Sequence, residues 1–383
     1  MPQYNDIRTE WFLEGLDLAE KNALGVSSST DTNFAPQLPE ADSSATVVTD
    51  ITNPTLTKEW DKFSENIARI GGNIVQAGEN LPDSNYITSD TISPAHVVSF
   101  LFYGDVFEIR YKVLVGSMRV LVDGKPAAKI NLPSSTGQER YMRVSFPDSR
   151  LRRIDIVSSL VYTGNLRTDP TDTVQPTLNP SRVIIAGDSF TEGTAGASEK
   201  GKGYVDLLRM LSGNFNIVQS GSGGTGWLRP NGERVGLVDR AQADIVDVGA
   251  DVVIIAMGIN DNGTLPDIEQ AINDTLDIVQ AGLPDATIVL LGSFTKGEAN
   301  TSMQNNTALI EAAATARGLY FVNPTGTANG DGWITGTGND GNLQGDGNAD
   351  IFVSSDGTHP NDAGHEFHAQ RLYNALLALG IKL

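Results

Sequence analysis

The sequence predicts an α/β protein in two parts: a parallel sheet with helices on both faces from residue 181 onward, and a small antiparallel β-sandwich of jelly-roll type before it. Three observations predict this. From residue 181, short β-branched runs alternate with amphipathic segments at the spacing of βαβ units. The first such run, Arg182 to Ala186, stops abruptly at Gly187-Asp188-Ser189-Phe190, as a buried parallel strand does when it delivers a loop to the carboxyl edge of its sheet. Between residues 87 and 165 the apolar period shortens to two, with turn residues at close intervals.

Length and composition bound the possibilities. At 383 residues the chain can fill two cores. Its 47 acidic against 27 basic residues give a formal charge of -20, which argues against nucleic acid or an anionic membrane surface as partner. There is no cysteine, so disulfides and thiolate chemistry are excluded. The opening residues, Met1 to Arg8, lack the charged-then-apolar pattern of a secretory signal, and no run approaches the roughly 18 apolar residues of a membrane span.

Residues 1–85 read as an N-terminal arm. A helical pattern runs from Ile7 to Ala23, residues 26–57 are rich in Ser, Thr, Asp and Pro and read as an extended linker, and Trp60 to Ile74 reads as a short helix. The arm is either a strap on its own domain or a segment for attachment or oligomer formation. Residues 86–168 carry the sandwich, with strand-like runs at Val97–Tyr103, Val106–Lys112, Met118–Val122, Tyr141–Phe146 and Arg153–Val157. Residues 169–180, with Pro170, Pro176 and Pro180, read as a linker. In residues 181–383, strands are expected at 182–187, 216–220, 251–258, 287–292 and 318–323, and helices at 203–212, 236–248, 266–281, 302–317 and 362–379.

The strand ends carry the chemistry. Ser189 stands in the first loop. The second strand is followed by Ser220-Gly-Ser-Gly-Gly-Thr-Gly-Trp227, whose glycines expose backbone amides to an anion but which lacks the Gly-Lys-Ser/Thr of a phosphate loop. The third gives Gly258-Ile-Asn260-Asp261, and Asp356-Gly-Thr-His359-Pro360 precedes the last helix. Each has a structural alternative. Asp188 and Ser189 suit a helix cap, Asn260-Asp261-Asn262-Gly263 an ordinary turn, and Asp356 a cap or turn. The three-residue step from Asp356 to His359 lets a carboxylate reach Nδ1 and aim Nε2 at a serine. His365 and His368 lack a third ligand at metal spacing and read as an exposed helix face, and His96 has no flanking signal.

These four stretches, in this order, resemble the four blocks of the SGNH (GDSL-type) hydrolases over residues 181–383. The resemblance implies a flavodoxin-like three-layer fold and an esterase with no metal or other cofactor. Carried over residue by residue, it implies Ser189 as nucleophile, His359 as general base and acid, and Asp356 as the orienter of His359. The backbone amides of Ser189 and Gly224 and the side-chain amide of Asn260 would form the oxyanion hole. Gln219 stands where the family often has Asn, and Gly223 competes with Gly224 for the second role. The order of sandwich and hydrolase is similar to two-domain carbohydrate esterases, which implies O-acetyl groups on a carbohydrate as substrate. Asp188, Trp227 and Trp333 are the candidate substrate-contacting residues, the tryptophans by stacking on a sugar. The Gly326 to Asp350 loop reads as a wall or lid of the cleft, with a composition that also permits calcium. The rival readings are a lipid-directed esterase and a virion or cell-surface protein with a degenerate hydrolase domain. An acetylated glycan favours an extracellular or virion-associated site of action.

Overall fold

The computed structural model describes residues 45–62, 64–70, 74–76, 87–89, 95–127, 138–177, 181–193, 195–198, 202–327 and 330–383. The helix expected at Ile7 to Ala23, and the arm before residue 45, lie outside them.

The N-terminal half is wholly antiparallel. Its strands are β1 (Thr46–Ile51), β2 (Lys58–Trp60), β3 (Ala68–Ile70), β4 (Ile74–Gln76), β5 (Ile87–Ser89), β6 (Ala95–Val122), β7 (Lys125–Pro126), β8 (Glu139–Thr168) and β9 (Thr173–Gln175). The five runs expected from the sequence merge into β6 and β8, of 28 and 30 residues, because the chain bends at register shifts without leaving the ladder. Their pairings fall into two sets. Residues 95–104 and 117–122 of β6 flank 150–159 of β8, with β3 and β9 on the edge strand. Residues 106–112 of β6 lie between the 139–145 and 162–168 segments of β8, with β1 and β2 outside. One buried cluster draws on both sets: Phe100 and Phe102 from the first meet Phe107 from the second edge-on, at 5.5 and 5.4 Å.

Three sequence expectations fail here. The stretch from Trp60 to Ile74 is not helical: β2, β3 and β4 occupy parts of it, paired to β8, β6 and β5. Residues 46–51, within the expected linker, form β1, whose alternating exposure is a strand signature. The linker before the second half contains β9, which completes an edge against Leu101 to Tyr103. In each case long-range pairing overrides weak local preference.

The second half follows its expected alternation closely. Five fully parallel strands, β10 (Val183–Gly187), β11 (Ile217–Gly221), β12 (Val252–Ala256), β13 (Thr287–Leu291) and β14 (Tyr320–Val322), stand in the order β11-β10-β12-β13-β14. This is the doubly wound order with its switch point between β10 and β12, where a crevice opens beyond the carboxyl ends. The register aligns those ends: Gly187 pairs with Gly221 and Ala256, Ala256 with Leu291, and Leu291 with Val322. Helices α1 (Ser189–Glu192), α2 (Tyr204–Ser212), α3 (Leu237–Ala241, continued by one π turn), α4 (Leu265–Gly282), α5 (Thr301–Arg317), α6 (Ala349–Phe352) and α7 (Asp362–Ala378) complete it. Side-chain caps from Thr264, Asn300 and Asn361 start α4, α5 and α7. Helix α2 packs on α7, and α3 and α5 pack on α4. No described helix is long and apolar enough to cross a membrane.

The halves are docked. Ile70, Val97, Leu121 and Val157 from the antiparallel half join the apolar core of the parallel half. The Arg153 guanidinium also lies over the Phe215 ring at 5.2 Å.

Candidate active site

The loop after β10 turns because nothing larger than glycine fits at residue 187, where a Cβ would overlap the Thr191 side chain and the Ala256 carbonyl. Asp188 then caps α1, its Oδ1 accepting the Phe190 N–H at 2.9 Å, and Ser189 is the first helical residue. Asp188 is 1% exposed, and burial pushes its carboxyl up to about 7 against the opposing pull of the Phe190 amide. It supports the turn and does not reach the cleft, contrary to its expected contact with substrate.

The loop before α7 brings up the histidine. Asp356 Oδ1 accepts the backbone N–H groups of Thr358 (2.8 Å) and His359 (2.9 Å), which locks the Asp356–His359 turn. Its Oδ2 lies 2.7 Å from His359 Nδ1, and His359 Nε2 lies 2.9 Å from Ser189 Oγ, across 170 residues of sequence. Burial opposes ionisation of Asp356. The hydrogen bonds from His359 and Thr358 outweigh it and bring the carboxyl down to about 2. An ionised Asp356 can only accept, so Nδ1 carries the imidazole proton and Nε2 is left to accept from the serine hydroxyl.

The remaining loops close a cleft of about 480 Å³ whose lining includes Ser189, Gly224, Asn260 and His359. Asn260 donates one Nδ2–H to the Thr225 carbonyl at 2.9 Å. Asp261, beside it, accepts the N–H groups of Trp227 (2.9 Å), Leu228 (3.1 Å) and Arg229 (3.3 Å), tying the loop after β12 to the loop after β11. Arg240, 3% exposed, donates to Gly187 O at 2.8 Å and Ser220 O at 3.3 Å, and so bridges the ends of β10 and β11. Glu192, one helical turn beyond Ser189, accepts the Gly223 N–H at 2.7 Å and pairs with Arg234 at 2.8 Å. Sequence reading found none of these last supports. Only the one-turn step from Ser189 to Glu192 could have flagged one.

Other expectations are corrected. Trp227 is fully buried in the core and cannot stack on a sugar. Trp333 packs on Phe294 at 6.0 Å and His368 at 6.1 Å and is not part of the cleft lining. His365 and His368 are buried on α7, not exposed, because α2 and the aromatic cluster around Phe294 cover them. The described part of the Gly326 to Asp350 loop is likewise absent from the lining. It folds over Phe367 through Ile334 and Ala349, and its Asp331, Asp346 and Asp350 accept loop amides.

Known proteins share parts of this sequence and this fold. Residues 185–367 match the GDSL-like Lipase/Acylhydrolase family. A GDSL lipase of Mycobacterium tuberculosis is 24% identical over 204 residues, covering 51% of this chain and 80% of that protein. In fold, the chain is similar to a family two carbohydrate esterase from Cellvibrio japonicus, at 16% identity and a TM-score of 0.62, over 87% of this chain and 98% of the other. It is equally similar to a salicylyl-acyltransferase of a tetracycline biosynthetic pathway, at 14% identity and a TM-score of 0.62, over 85% and 98%. Through residues 185–367 the chain is thus similar to the GDSL-type lipases/acylhydrolases, and this match supports an ester-hydrolysing enzyme.

Proposed function

We propose that the chain is a serine esterase that removes short acyl groups, acetyl in the first place, from a carbohydrate. The observation that carries this is the run of two hydrogen bonds, Asp356 to His359 Nδ1 at 2.7 Å and His359 Nε2 to Ser189 Oγ at 2.9 Å. His359 takes the serine proton as Oγ attacks the ester carbonyl, then returns it to the departing alcohol. Water, activated by the same Nε2, releases the acid from the acyl-enzyme. The oxyanion is held by the Ser189 and Gly224 amides and by the second Nδ2–H of Asn260, each donor contributing on the order of 2.7–4 kcal/mol. Gly223 is the poorer candidate because its N–H is engaged by Glu192. A polar wall of Glu192, Asn231 and Arg234 suits a hydroxyl-rich leaving group better than a lipid chain.

On this reading residues 86–168 are a β-sandwich module, supported by the two sets of pairings around one core, and residues 181–383 the hydrolase domain. The sandwich extends the surface available to a polymer. Ser189→Ala should abolish acetate release from acetylated polysaccharides, and a fluorophosphonate should label Ser189 alone. Substantial turnover by a folded Ser189→Ala protein overturns the assignment.

A further inference from the structure

The Gly223–Gly224 peptide stands between two residues without side chains, so nothing in its own backbone fixes which way it faces. Its orientation decides the site, because the N–H of Gly224 and the C=O of Gly223 belong to one trans peptide plane and point in opposite directions. Two side chains grip that carbonyl: Asn231 Nδ2 donates to Gly223 O at 3.0 Å, and Arg234 Nη1 at 3.2 Å. Both arrive on one tight hairpin, in which Asn231 N donates to Arg234 O at 2.8 Å and Arg234 N to Asn231 O at 3.1 Å. Glu192 holds the preceding peptide by accepting the Gly223 N–H at 2.7 Å, and it pairs with Arg234 and so steadies that donor. Gly224 itself sits at φ +77, and a Cβ there would overlap Asn231 Nδ2, so the hairpin is seated directly against it.

We propose that Asn231 and Arg234 are positioning residues: by holding the Gly223 carbonyl away from the cleft, they keep the Gly224 N–H turned toward the reacting oxygen. This rests on the proposed role of Gly224 in the oxyanion hole. A peptide flanked by two glycines would otherwise flip and present its carbonyl oxygen, which repels an oxyanion. The same two donors form part of the cleft wall, so one hairpin shapes both the wall and the donor.

The test separates orientation from packing. Asn231→Ala removes a donor, whereas Asn231→Asp keeps the shape and sets an acceptor against the carbonyl. We expect Asn231→Asp to lower kcat on nitrophenyl acetate more than Asn231→Ala does, with KM little changed in both. The combined Asn231→Ala and Arg234→Ala variant should lose up to roughly 10²–10³-fold in kcat, the loss that follows removal of one oxyanion donor. A packing role predicts the reverse order, with the shape-conserving Asp the milder change, and that result overturns the proposal. Hydrogen exchange at the Gly224 amide in the Ser189 phosphonate adduct gives a readout independent of rate. Protection in the wild-type adduct that is lost in the combined variant supports the clamp, and equal protection in both refutes it. An unprotected Gly224 amide in the wild-type adduct instead removes Gly224 from the oxyanion hole, and the clamp with it.

Discussion

The two ways of removing the Asp356 carboxylate should differ in a direction that the hydrogen bonds dictate. In Asp356→Ala, His359 loses a charged neighbour and an orienting contact, but its Nδ1–H can turn to water. The side chain of Asp356 is 44% exposed, so its attraction for the imidazolium is screened. For charges about 4 Å apart that attraction lies between about 1 kcal/mol at the dielectric of water and about 4 kcal/mol at an effective dielectric near 20. In rate this is roughly 5-fold to 10³-fold, and the exposure of Asp356 favours the lower part of the range. In Asp356→Asn the new amide still receives the Thr358 and His359 N–H groups through its oxygen, so its Nδ2 faces His359 Nδ1. An N–H facing Nδ1 holds the proton on Nε2, the wrong tautomer for accepting from Ser189. The corresponding exchange in serine proteases costs about 10⁴ in kcat. We therefore expect the near-isosteric Asn variant to be slower than the Ala variant in single-turnover acylation by nitrophenyl acetate, with both proteins folded. An Asn variant as fast as the Ala variant would refute the tautomer argument.

Further outcomes follow from other parts of the molecule. Asn260→Ala should lower kcat by roughly 10²–10³-fold with little change in KM, since its bond strengthens only as charge develops; a defect confined to KM would make it a ground-state contact. Burial, and next to it the neighbouring His365, bring His368 down to about 3, so below about pH 6.5 the unfolded chain takes up a proton that the fold refuses. Stability is thus lost as pH falls, and the stability difference between wild type and His368→Leu should shift by about 2 kcal/mol in favour of the variant between pH 7.5 and 5, as read by urea unfolding. A pH-independent difference would contradict the buried, neutral state. A chain beginning near residue 175 uncovers the face that Ile70, Val97, Leu121 and Val157 cover, so its yield of soluble protein and its melting temperature should fall. Whatever remains soluble should keep its kcat/KM on nitrophenyl acetate and lose it on acetylated polysaccharide; equal activity on both would reject the binding role.

The parallel half was legible because its signals are local. Val183 to Gly187 is a β-branched run closed by glycine, and Thr264, Asn300 and Asn361 cap the helices that follow. The four motif stretches were legible for the same reason, each lying in a loop next to its own strand or helix. The antiparallel half was harder. Thr46 to Ile51 does alternate, but nothing near it in sequence reveals the β8 partner that makes it a strand. Helix α7 misled in another way: His365, His368, Gln370 and Asn374 are all buried, so polarity did not mark its solvent face. Trp227 looked like a sugar platform because it follows a glycine loop, whereas its ring turns inward and only its backbone serves the loop, through Asp261.

The pairing of β8 with β1 and β2 has a consequence for how the protein is made. Thr46 pairs with Ser145 and Lys58 with Thr168, so β1 and β2, once they leave a ribosome, lack these partners until about a hundred further residues emerge. At ~5–20 residues per second that is on the order of ten seconds with open strand edges. By contrast, Val183 finds Ile217 and then Val252, each reached through a single helix-bearing crossover. The second half has distant contacts of its own, since the Tyr204 N–H meets the His365 ring 161 residues later and Ser189 meets His359 after 170. The face that receives Phe215 and its neighbours is complete only when β6 and β8 have closed, so the sheet that carries Ser189 takes part of its apolar cover from a region of the chain far from the cleft.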